Sequence, residues 1–101
     1  MSAAELLAEA RAAAVWEIWS SSPAAACVVG ELLPGFTFTT GAEAQALVRL
    51  ADQAGVGIVE AHRVIGELIS RGAVVAHHLT GAETGRSVWV IPSVPVALET
   101  V

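Results

Sequence analysis

The stretch Leu50-Ala51-Asp52-Gln53-Ala54-Gly55-Val56-Gly57, followed by Ala61, Ile65, Leu68 and Gly72-Ala73-Val74, decides how the rest of the chain is read. Each of these residues has a mechanical reason to be where it is. Ala51 is small enough for two helices to cross closely. Gly55 has no Cβ and can take the left-handed conformation that ends the first helix. Val56 plugs the corner of the three-residue turn Gly55-Val56-Gly57. A second helix is predicted from about Ile58 to Arg71, with Ala61, Val64, Ile65 and Leu68 recurring at helical spacing on its inward face. Gly72 stops it, so that Val74 can enter an extended segment.

Toward the C-terminus, Ala73 to Leu79 reads as a β-branched strand. The loop Thr80-Gly81-Ala82-Glu83-Thr84-Gly85 follows, and Ser87-Val88-Trp89-Val90-Ile91 returns antiparallel to complete a hairpin. Trp89, alternating with Val88 and Val90, is expected in the core. Pro92 and Pro95 end regular structure and leave a short arm over 92–101.

Toward the N-terminus, Thr40-Gly41-Ala42-Glu43 has the spacing of a capping box, with Thr40 predicted to cap a helix running to Ala54. Its inward positions are Ala46, Leu47, Leu50 and Ala51. Phe36 to Thr40 alternates apolar and polar, as a half-buried strand does, and Pro34-Gly35 marks a turn. Ala24 to Leu33 reads as a short buried helix, with Pro23 suited to its first turn. Residues 3–20 contain neither Gly nor Pro and form a helix by propensity. That helix carries two apolar stripes, one of Leu7, Ala10, Ala14 and Ile18, the other of Ala8, Ala12, Val15, Trp16 and Trp19. One domain needs only one of them. The second, built on Ala12, Val15, Trp16 and Trp19, is expected to pair two copies as a homodimer, the alternative being that the domain itself wraps both faces.

The 101 residues make one domain. With 54% hydrophobic and 15% charged residues the composition argues against disorder. Formal net charge is −5, every cation is an arginine, and lysine is absent. No run reaches the roughly 20 apolar residues that span a bilayer, and the start lacks a basic n-region, so a cytoplasmic protein off the membrane is expected. Cys27, alone in an Ala/Val run, has no partner for an intramolecular disulfide and is predicted to be a small buried hydrophobe. His77 and His78 are adjacent on a strand and point to opposite faces, the wrong geometry for a shared metal. There is no nucleophile elbow and no Gly-rich phosphate loop before a helix. The expectation is a protein that is not an enzyme and needs neither cofactor nor metal.

The corner at residues 50–74, with its attached hairpin, resembles a winged helix-turn-helix over about residues 36–91, of the kind found in small bacterial transcriptional regulators. The fold implied is mainly α with a small antiparallel β-hairpin wing, an α+β class. The plan is a helix over 3–20, a short helix over 24–33, the winged core over 36–91 and the arm. The resemblance implies binding to double-stranded DNA, with the second helix of the motif in the major groove. His62 and Arg63 would then read base edges, Arg86 would act from the wing, and Thr39, Thr40 and Arg49 would hold the backbone.

This chain departs from that pattern on the reading helix. Its outward positions are Ile58, Val59, Glu60, His62, Arg63, Gly66 and Glu67, where groove readers place Ser, Thr, Arg, Asn or Gln. Two expectations therefore stand side by side. One is a homodimeric DNA-binding transcriptional regulator. The other is an acidic protein–protein interaction module on the same scaffold, an adaptor or inhibitor that docks another protein through Ile58, Val59 and the N-terminal stripe.

Overall fold

Two helices meet at Gly55, whose φ of 71° is the left-handed conformation that the turn requires. The computed structural model describes residues 2–92. In chain order the elements are α1 (Ala3–Trp19), α2 (Pro23–Leu32), β1 (Phe36–Thr39), α3 (Glu43–Ala54), α4 (Ile58–Ser70), β2 (Val75–His78) and β3 (Arg86–Val90). The chain is mainly helical with one small three-stranded antiparallel sheet, an α+β arrangement. Residues 93–101, which include Pro95 and most of the C-terminal arm, lie outside the described residues.

The inward faces of α3 and α4 are those the periodicity selects: Ala46, Leu50 and Ala51 against Ala61, Val64, Ile65 and Leu68, all buried. Leu47 and Val56 are half-buried against the same core. The Val56 amide donates to the Ala51 carbonyl at 3.0 Å, closing the corner. At the far end of α4, Gly72 takes φ 68°. The Ala73 amide then donates to the Leu68 carbonyl at 2.8 Å, which sets the direction in which the hairpin leaves.

The hairpin is joined by β1, giving the order β1-β3-β2. Phe36 pairs with Trp89 and Thr39 with Arg86; on the other side Val75 pairs with Val90 and His78 with Ser87. Phe36, Phe38 and Trp89 form the sheet's buried aromatic face, with ring centroids 6.0 and 4.6 Å from Trp89. Alternation along 36–40 marks a strand but carries no information on its partner, so this pairing comes from the tertiary structure alone.

Three local expectations are corrected. The capping box at Thr40 does not form. Helix α3 starts at Glu43 behind Ala42, without a side-chain cap, because Gly41 (φ 87°) turns the chain and the Thr40 hydroxyl is bonded to Ser87 instead. Helices α1 and α2 are the capped ones, by Ser2 and Ser22. Cys27 is exposed: it lies about 200° around the helix from Ala25, whereas α2 buries Ala25, Val28, Val29 and Leu32. On α1 only Ala14 and Ile18 are buried, and Leu7, on the same stripe, extends past the packed body. Among the described residues, no helix is long and apolar enough to cross a membrane.

The corner can be tested by two glycines of opposite behaviour. A Cβ at either Gly55 or Gly66 would meet nothing within 4 Å, but only Gly55 has a positive φ. Gly55→Ala is expected to lower stability by about 1–2 kcal/mol through the backbone alone. Gly66→Ala, within α4, should raise it by about 0.5–1 kcal/mol. Urea midpoints at constant m-value read both, and equal shifts of the same sign would contradict the assignment.

Candidate functional site

Helix α4 turns its first residues outward. Val59 is 81% and Ile58 47% exposed, because the inward stripe begins only at Ala61. Together with Leu47 of α3 and His62 they line an apolar hollow of about 290 Å³. A second hollow of about 300 Å³ adjoins it, lined by Glu43, Ala44, Leu47, His62, Ile65 and Trp89. Leu47 and His62 are common to both, so His62 lies between them as a shared wall. The result is an apolar groove between α3 and α4, with the carboxylate of Glu43 at one end.

The arginines are engaged elsewhere. Arg63 is held by two acids of its own helix, Glu60 one turn before it and Glu67 one turn after, the latter at 3.1 Å. The hydrogen bond to Glu60 is the largest cause that raises its pKa above the ordinary value. Arg49 donates to the Thr37 carbonyl and lies over the Phe36 ring at 4.6 Å. Since β1 is an edge strand, this guanidinium covers a main-chain acceptor that would otherwise be open to another chain. Arg86 donates to the Thr37 hydroxyl at 3.2 Å and has Glu83 at 3.8 Å. Arg71 bridges to Glu17, fastening α4 to α1 at 3.1 Å. Arg11 lies near the Gly72 turn, with its Nε buried and unpaired. Among the described residues, no arginine projects alone into solvent.

A polar chain runs across the sheet. The Thr40 hydroxyl meets the Ser87 hydroxyl at 2.8 Å, and Ser87 meets His78 Nδ1 at 3.2 Å. Ser87 is 2% exposed. Each hydroxyl can both donate and accept, so the chain is satisfied with either neutral tautomer of His78. The buried Ser87 hydroxyl thus links β3 to β2 and to the residue that follows β1. Among the described residues no three of His, Cys, Asp and Glu are grouped to hold a metal ion.

The residues singled out in the sequence thus fall into separate groups. His62, Ile58 and Val59 meet at the groove, with Leu47 as a wall that the sequence had assigned wholly to the core. Arg49 and Arg86 converge on Thr37, a residue with no prior signal. Thr39 is exposed on the outer face of β1, and Thr40 is turned to Ser87. Arg63 stays on α4 with its two acids. Trp16 and Trp19 stack on each other on α1, beside exposed Ala12 and half-buried Val15. No family model, curated protein or solved structure matches the chain.

The polar chain predicts coupled losses. Ser87→Ala and Thr40→Val should each lower stability by about 1 kcal/mol, with the double variant falling short of the sum because both remove one shared bond. Strict additivity in urea unfolding would contradict the bond.

Proposed function

We propose that residues 36–91 are a winged helix-turn-helix used to dock another protein, with the groove between α3 and α4 as the binding surface. The two-helix corner at Gly55, the hairpin after α4 and the strand β1 beside it support the winged-helix reading. One observation carries the docking reading. The helix that would lie in a DNA groove presents Ile58 and Val59 to solvent and keeps its single arginine between Glu60 and Glu67.

Electrostatics supports the same reading. Non-specific affinity for nucleic acid comes mostly from cations set against phosphates, whereas α4 carries Glu60, Arg63 and Glu67 and is net acidic. A groove of this shape takes an amphipathic helix or extended peptide by its apolar side chains. Glu43 at the groove's end favours a partner with Lys or Arg beside its apolar anchors.

DNA binding is the second reading, and a specific observation favours it. Arg49 and Arg86, from α3 and β3, converge on Thr37 with Thr39 on the same strand. Exposed ion pairs are worth roughly 0–1 kcal/mol, so phosphate could take these guanidiniums over. Helices α3 and α4 also start without side-chain caps, leaving amides for an anion. In this reading the protein is a homodimeric transcriptional regulator.

Selection from a random displayed-peptide library separates the two readings. Peptides bound by the protein should carry apolar anchors flanked by Lys or Arg, and Ile58→Asp with Val59→Asp should weaken them at least tenfold. Binding that survives both changes sinks the docking reading. A gel shift with duplex DNA, using micromolar protein in about 50 mM salt, should show no complex. A complex abolished by Arg49→Ala with Arg86→Ala would instead establish the second reading.

A further inference from the structure

Helix α1 rests on the rest of the chain through one face only. Ala14 and Ile18 are buried there, while residues 3–10 are exposed throughout. An isolated helical segment that short is marginal in water. On the opposite side, Ala8, Ala12, Trp16 and Trp19 fall within about 80° of the helix circumference at 100° per residue. Trp16 is 66% and Trp19 39% exposed. Their rings stack at 4.9 Å with 21° between planes, forming one aromatic slab at the C-terminal half of the stripe. The N-terminal half of the same stripe carries the small Ala8 and Ala12, with Glu5 at its outer end.

We infer that this stripe binds the same stripe of a second copy, with the two α1 helices antiparallel. Small residues then face large ones: Trp19 lies over Ala8 of the partner and Trp16 over Ala12, within one residue of a single register. The two-fold axis passes at the level of Ala14, so every contact is made twice. A parallel pairing would set Trp16 on Trp16, leave a gap at Ala8, and bring Glu5 onto Glu5 and Glu9 onto Glu9. The antiparallel one keeps those acids at opposite ends. Each then lies beside the half of the partner helix whose own acid, Glu17, is already paired with Arg71.

The area is sufficient for a reversible dimer. The indoles leave roughly 250 Å² exposed per chain, taking about 250 Å² for a whole aromatic side chain. Two copies, with Ala8, Ala12, Val15 and the helix flanks, approach the lower bound of about 1,200 Å² for a specific interface. The association is therefore expected in the micromolar range rather than as a permanent dimer. It uses none of the residues that line the α3–α4 groove.

Light scattering behind size exclusion, at about 100 µM protein, should give twice the 10.3 kDa chain mass. Trp16→Ala with Trp19→Ala should halve that mass while circular dichroism stays helical, and Ala8→Trp alone should do the same by filling the small end. A wild-type monomer at this concentration overturns the inference and leaves the stripe to a different protein. A dimer that survives both sets of changes also overturns it. Orientation is read in a Cys27→Ser background with a short bismaleimide. Ala12→Cys, close to the axis, should cross-link; Glu5→Cys, about 27 Å from its mate at 1.5 Å per residue, should not. Cross-linking at both positions would mean a parallel pair.

Discussion

The crossing of α3 over α4 is the contact on which the other elements depend. Ala51 and Ala61 are both buried in the core that these helices share, where a longer side chain would overpack it. Gly55 makes the turn tight enough for that approach, and the Val56 amide locks it to Ala51. Because α4 is fixed by this corner, its C-terminal carbonyl at Leu68 receives the Ala73 amide and aims the hairpin. The hairpin in turn offers β3 as the central strand, onto which β1 adds and brings Phe36 and Phe38 against Trp89. Disturbing the corner would therefore move the sheet as well as the two helices.

The same geometry decides how charge is used. With no lysine and a net charge of −5, the chain has few cations, and four of its five arginines contact its own acids or main chain. Arg49 covers the β1 edge, Arg71 joins α4 to α1, Arg63 lies between two acids, and Arg86 spans Glu83 and Thr37. The large exposed apolar side chains, among them Trp16, Ile58 and Val59, lie apart from these pairs. Binding resides in the groups a surface presents rather than in the scaffold. Here those groups are Leu47, Ile58, Val59 and His62 at the groove and the two indoles of α1. These two surfaces lie on different helices and share no residue.

Much was legible in the sequence, for physical reasons that are local. Helix faces follow from a 3.6-residue period, so the buried sets of α3 and α4 were read almost residue by residue, and Gly55 and Gly72 marked stops that only a residue without a Cβ makes easily. The hairpin and the core position of Trp89 followed from alternation. Local chemistry misled where a competing partner existed. Thr40 had the spacing of a cap, but Ser87, 47 residues away, took its hydroxyl. Cys27 had the hydrophobic neighbours of a core residue, but helix rotation put it outside.

What the amino-acid order determined by itself was therefore the set of elements, their inward faces and their turns, because each depends on neighbours a few residues away. Only the tertiary structure decided that β1 pairs with β3, that Arg49 and Arg86 meet at Thr37, and that Leu47 joins Ile58, Val59 and His62 around one groove. Those meetings join residues far apart in the chain, and no local period or turn signal carries them.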